Sequence, residues 1–186
     1  MIQSFADETT AGLFAERSTR AARRIPIDLW PTVRRKLKWL DVAQRLSDLA
    51  SPPGNRLEAL RGDQRGRHSI RVNDRFRLTF RWEGTMPTKS GARTITRDPS
   101  VLGPAVHPGE MLLEEFLKPL CLPQVQAARQ LGISLNRLNE IILGKRSVTA
   151  DTALRLARRF KTSPQLWMHL QADWDLHAAL RKRSAA

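Results

Sequence analysis

The stretch Gln124-Val-Gln-Ala-Ala-Arg-Gln-Leu-Gly-Ile-Ser-Leu-Asn-Arg-Leu-Asn-Glu-Ile-Ile-Leu143 decides how the second half of this chain folds. Val125, Ala128 and Leu131 recur at helical spacing up to Gly132, and Ser134 is a good N-cap for a second helix that turns Leu135, Leu138, Ile141 and Ile142 inward. Gly144 then sits where a left-handed C-terminal glycine is expected. Short helix, glycine turn, small cap and second helix together have the layout of a helix-turn-helix. The polar face of the second helix offers Ser134, Asn136, Arg137 and Asn139, residue types able to hydrogen-bond base edges or phosphates. Lys145 and Arg146 follow where cations can reach flanking phosphates.

More helices surround this unit. Leu112, Leu113, Phe116, Leu117 and Leu120 form an apolar face before it, stopped near Pro119. After it, Thr149 caps a helix with Ala153, Leu154, Ala157 and Phe160 toward a core, and Ser163-Pro164 opens another with Leu166, Trp167, Leu170 and Trp174 on one stripe. The expectation is an all-α unit of five helices over residues 107–186.

The first half reads differently. Ile2 to Phe5 is short enough for an edge strand, Asp7 to Glu16 has a weak helical pattern, and a helix is expected from Pro31 to Leu49, with Val33, Leu37, Leu40, Leu46 and Leu49 at helical spacing. Pro52-Pro53-Gly54 forbids its continuation. In His68-Ser-Ile-Arg-Val-Asn-Asp-Arg-Phe-Arg-Leu-Thr-Phe-Arg-Trp82 apolar and polar residues alternate, which predicts a β-hairpin. A three-residue loop pairs Val72 with Phe76 and Ile70 with Leu78, so all apolar side chains share one face. Arg67, Ser69, Arg71, Arg77, Thr79 and Arg81 then share the other, a guanidinium-lined sheet surface. Between the halves, residues 86–106 are rich in Gly, Pro, Ser and Thr and read as a linker. About 20 flexible residues span on the order of 25 Å, so the halves can meet within one chain or between chains.

Composition narrows the partner. The chain has 186 residues, 32 Lys+Arg, 18 Asp+Glu and a formal charge of +14. Residues 1–85 hold 17 basic and 10 acidic side chains and residues 86–186 hold 15 and 8, so each half carries +7. An excess of this size predicts a polyanionic partner, nucleic acid before a membrane surface, because the arginines are spread through folded-looking segments rather than gathered on an amphipathic tail. No apolar run approaches the ~18 residues of a membrane span, and the start lacks signal-peptide character, so a cytoplasmic protein is expected. The lone Cys121 excludes a disulfide framework and reads as a small buried hydrophobe. His68, His107, His169 and His177 have no convincing metal spacing; neither metal nor cofactor is expected. His68 reads as packing on the apolar face of the hairpin.

Two resemblances sharpen these readings. His107-Pro-Gly-Glu110, Leu138 to Ala157 and Thr162-Ser-Pro-Gln-Leu-Trp-Met-His-Leu-Gln171 resemble the HigA-type antitoxins of the Xre helix-turn-helix superfamily. The resemblance implies a homodimeric operator-binding repressor that also counteracts a toxin. Met1-Ile-Gln-Ser-Phe5, Arg56-Leu-Glu-Ala-Leu-Arg-Gly-Asp63 and Ser69 to Phe80 are similar to the HigB-type proteic killer toxins of the RelE superfamily, whose α+β fold sets helices on a small antiparallel sheet. That resemblance covers about residues 1–83 and implies an endoribonuclease acting on messenger RNA at the ribosome. The chain thus reads as toxin then antitoxin, joined at about Met86, with contact between the two in cis or in trans.

Carried over residue by residue, the toxin resemblance places Arg61 where the family usually has a basic residue, Arg77 where it has its phosphate-binding arginine, and Glu58 where some members carry a histidine; Glu58 can act as a base or, in this basic loop, as a salt-bridge partner. Arg67, Arg71 and Arg81 would add RNA contacts. The departure is at the end of the toxin half. Members continue into a last strand ending in Asp-Tyr-His or similar, whereas here Trp82 is followed by Glu83-Gly-Thr-Met-Pro and the chain has no Tyr. Loss of a general acid/base group costs about 10²–10⁴-fold, so impaired cleavage with retained RNA or ribosome binding is expected. The rivals are an active ribosome-dependent endonuclease restrained by its antitoxin half, and a non-catalytic module that sequesters a partner toxin or antitoxin.

Overall fold

Helix α1, Glu8–Phe14, is the first helix among the described residues, and Asp7 caps it, its carboxylate accepting the Thr10 N–H at 2.8 Å. The computed structural model describes residue 2 and residues 4–82 and 105–184. The expected linker, apart from its last two residues, lies outside the described residues. Helix α2, Trp30–Val42, starts with Pro31 in its first turn and buries Val33, Leu37, Trp39 and Leu40. It does not run to Leu49. Ala43 turns extended, and a separate short helix α3 spans Leu46–Ala50. The cause is Asp48, a fully buried carboxylate that accepts the N–H groups of Gln44 and Arg45 at 3.1 and 3.2 Å.

The three-stranded antiparallel sheet comprises β1, Glu58–Ala59, β2, Arg67–Arg71, and β3, Arg77–Arg81, in that order. The hairpin has the expected register, with Ile70 opposite Leu78, Ser69 opposite Thr79 and Arg67 opposite Arg81. Its three-residue loop is held by the Asn73 Oδ1 atom, which accepts the Arg75 and Phe76 N–H groups. The expected edge strand at the N-terminus is absent at Ile2, Ser4 and Phe5, while Met1 and Gln3 lie outside the described residues. The Ile2 N–H instead donates to Asp41 at 3.0 Å.

Helix α4, Pro108–Leu112, continues into a wider π turn at Leu113–Leu117. That turn brings three consecutive side chains, Glu115, Phe116 and Leu117, to one buried face. Then come α5, Gln124–Leu131, α6, Leu135–Ile142, α7, Ala150–Phe160, and α8, Pro164–Ser184. These are the five expected helices. Gly109 is required where α4 crosses α6, since a Cβ there would stand 1.8 Å from the Ile141 carbonyl oxygen. Several side chains expected inside are on the surface: Leu120, Val125, Leu135 and Leu154. Short helices bury a narrower arc than the apolar spacing offers, and Ala127 and Leu156 occupy the buried positions instead. Cys121 is also exposed, at φ +48° in the turn that ends the π segment.

The two stretches pack against each other through α2 and α3. Trp39 meets Phe116 and Trp167 with ring centres 5.5 and 5.7 Å apart, and Phe116 meets Phe160 at 4.7 Å. Around this aromatic cluster lie buried ions. Lys36 Nζ is 2.9 Å from Glu115, Arg35 Nε is 3.2 Å from the same carboxylate, and Lys38 Nζ is 2.7 Å from Asp173. Asp48 crosses as well, accepting the Ser163 N–H and hydroxyl, both at 2.8 Å.

Removing one partner of a buried ion pair costs about 3–5 kcal/mol, because the remaining charge stays desolvated. Glu115→Gln, which leaves Arg35 and Lys36 facing an amide, is expected to lower the unfolding free energy by that amount in urea titrations. His107 provides a pH-dependent test. Its Nδ1 accepts the Gly109 N–H at 2.9 Å, so the ring is held neutral there. Burial pushes its pKa below the ordinary histidine value, with the Asp175 carboxylate opposing. The unfolded state therefore binds more protons, and this contribution is complete above about pH 6.5 and is lost as pH falls below it. Urea midpoints at pH 7.5 and 5.5 should differ less for His107→Asn than for the parent chain.

Candidate nucleic-acid interface

The helix-turn-helix is built from α5 and α6 around Gly132, whose φ of +65° ends α5 in a left-handed turn. The Ser134 hydroxyl caps α6 by accepting the Arg137 N–H at 3.2 Å. Leu138 and Ile141 point into the core, and their opposite face carries Ser134, Asn136 and Asn139, all exposed. The amides of Asn136 and Asn139 have no hydrogen-bond partner among the described residues. Lys145 is exposed beyond the end of α6, and Arg146 Nε lies 2.5 Å from Glu140.

Arg137 is placed differently from its neighbours. Its guanidinium turns toward the start of α7, where it donates to Thr152 Oγ1 at 2.7 Å and lies 3.5 Å from Asp151. Asp151 also receives Arg155 Nε, 3.0 Å from each carboxylate oxygen. The hydrogen bond from Arg155 holds the Asp151 carboxyl below the usual carboxylate range, with the Arg155 and Arg137 charges acting in the same direction. Arg155 donates in turn to the Leu131 and Gly132 carbonyls at 3.1 and 3.0 Å, closing the α5 terminus. A side chain at position 132 would meet that guanidinium, with the Cβ at 2.8 Å. Asp151, Thr152 and Arg155 thus fix the turn and Arg137 together, and sequence reading passed over them. The spacing of Asp151 and Arg155, i and i+4 on one helix, was the available clue.

The sheet presents the second basic surface. Arg77 Nε donates to Ser69 Oγ at 3.0 Å, and its terminal nitrogen reaches the Arg56 carbonyl at 2.8 Å and Glu58 at 3.1 Å. Glu58 and Arg77 are thus brought together, as an ion pair. Ser69, expected on the open arginine face, is fully buried beneath this arrangement. Arg71 pairs with Asp74. Arg61 is exposed at the turn after β1, apart from the Arg77 cluster. Arg67 and Arg81 are directly opposite each other, and neither has an acidic partner among the described residues. Like charges facing each other across strands are destabilising, and a bound anion relieves them. His68 stacks on Phe80 with ring centres 5.8 Å apart. Among the described residues no group of three or more His, Cys, Asp or Glu side chains is placed to hold a metal ion, and no helix is long and apolar enough to cross a membrane.

Comparison with known proteins follows the same division. The family model described as the RelE-like toxin HigB of type II toxin–antitoxin systems matches residues 3–89, and a helix-turn-helix model matches residues 113–167. Toxin HigB-1 of Vibrio cholerae is 52% identical over 60 residues, which cover 32% of this chain and 63% of that protein. Virulence-associated protein I of Dichelobacter nodosus is 49% identical over 76 residues, covering 41% of this chain and 70% of that one. Among solved structures, the antitoxin HigA of Pseudomonas aeruginosa with its higBA promoter is 38% identical, with a TM-score of 0.43, over 44% of this chain and 89% of that one. An addiction module antidote protein of the HigA family from Coxiella burnetii is 44% identical, with a TM-score of 0.42, over 44% of this chain and 88% of that one. Over its helical part the chain belongs to the helix-turn-helix family that includes virulence-associated protein I, and in the same polypeptide this part follows a region matching the RelE-like toxin HigB.

Proposed function

We propose that this protein is a sequence-specific DNA-binding autorepressor of the antitoxin type, whose helical part, residues 107–186, holds its toxin-like part, residues 1–85, in cis. The observation that carries this reading is the outward face of α6. Asn136 and Asn139 point away from the core, their amides without a partner among the described residues, and exposed Lys145 follows the end of α6, an arrangement suited to base edges and flanking phosphates. The protein acts in the cytoplasm, as a homodimer joined through its helical part, since a helix-turn-helix reads two half-sites one DNA turn apart.

The toxin-like part binds RNA or the ribosome better than it cuts. Arg67 opposite Arg81 supports anion binding. Arg77 is tied to Glu58, Ser69 and Arg56, so the pair that would supply charge and base is engaged internally. The missing Tyr removes a further acid/base group. The competing reading, an active endonuclease restrained by its antitoxin half, finds no complete acid/base set among these residues.

The test is a gel-shift titration of the full chain on the DNA upstream of its own gene. A specific shift is expected. Asn136→Ala with Asn139→Ala should abolish specific binding while leaving weak, salt-sensitive binding. Unchanged specific binding by the double variant would refute the assignment of α6 as the reading helix.

A further inference from the structure

The outward surface of α6 is chemically one-sided. At 100° per residue, Leu135, Asn136, Asn139 and Leu143 fall within about 100° of arc. Leu135 and Leu143 are 44% and 58% exposed, unusual for leucines at the front of a polar face. Arg137 lies on the flank of this arc, between the outward stripe and buried Leu138 and Ile141, and its guanidinium is spent on Thr152 and Asp151. Glu140 lies on the same flank, between Asn136 and Arg137, and its carboxylate is spent on Arg146.

Base pairs differ in what they ask of a protein in the major groove. Guanine is read by a free arginine or lysine, cytosine by a carboxylate, adenine by an Asn or Gln amide, and thymine by an apolar contact with its methyl group. On α6 the cation and the carboxylate are both occupied within the chain. Two free amides and two exposed leucines remain.

We propose that α6 reads A·T base pairs, with Asn136 and Asn139 on adenine edges and Leu135 and Leu143 against thymine methyl groups. Arg137 is a positioning residue, latched to α7 by Thr152. It joins α6 to the Asp151–Arg155 pair that closes the α5 terminus, so the stripe meets the groove at a fixed angle. This specificity rests on the DNA-binding reading above.

The experiment is selection of duplexes from a randomised pool by the full chain, repeated with variants. The parent chain should enrich A·T pairs at the central positions of each half-site. Asn136→Ala or Asn139→Ala should each cost about 5–150-fold at one base position and flatten the preference there, as loss of a bidentate contact does. Thr152→Val, close in volume to the buried threonine, should free Arg137 and admit G·C at one position. A purely structural threonine would change affinity for all duplexes alike. Enrichment of G·C at the central positions by the parent chain overturns the proposal while leaving DNA binding intact. A base preference unchanged by Thr152→Val overturns the latch. Failure to enrich any duplex overturns the DNA-binding reading, and this inference with it.

Discussion

Lys38 lies on α2 with almost none of its side chain reaching solvent, and its charge is tolerable there because Asp173, from a helix more than a hundred residues later, stands 2.7 Å away. Lys36 and Arg35 repeat the arrangement with Glu115, and Asp48 reverses it by accepting two hydrogen bonds from Ser163. Buried ion pairs add little net stability over well-packed apolar residues, but separating them leaves desolvated charges. Their effect is to specify the partner. Trp39, Phe116, Phe160 and Trp167 supply the apolar area, and the ions fix which surfaces meet. The toxin-like part is thereby held on α2 and α3, by a face distinct from its arginine-bearing strands.

This placement gives the equal +7 charges of the two halves different roles. Cations of the first half and carboxylates of the second meet inside the protein. Outside it remain the strand arginines on one side and the α6–Lys145 surface on the other. Neither surface supplies a residue to the ion pairs and ring contacts that join the halves.

Much of this was legible in the sequence. Alternation over Ile70 to Trp82 specifies the hairpin register because a slip of one residue would turn every apolar side chain to solvent. Gly132, Ser134 and Gly144 mark the helix-turn-helix because each answers a local backbone need. What could not be read depends on residues distant in sequence. The break at Ala43 follows from Asp48, whose carboxylate is anchored by Ser163. The inward turn of Arg137 follows from Thr152 on another helix, and the Arg77–Glu58 pair from the meeting of two strands. Local periodicity also placed Leu135 and Leu154 inside, because it counts apolar residues without knowing how much of each helix its neighbours cover.

If the buried ions and aromatic rings alone hold the antitoxin-type part on the toxin-like part of the same chain, that contact survives cutting the segment between them. A protease site inserted between residues 86 and 104, cleaved in the folded full-length protein, tests it directly in size-exclusion chromatography at micromolar concentration. The two fragments should co-elute, and should separate once Lys38→Ala and Glu115→Ala are introduced. Separation of the cleaved parent protein into two independently eluting fragments would show that the connecting segment, and not these contacts, keeps the two parts together.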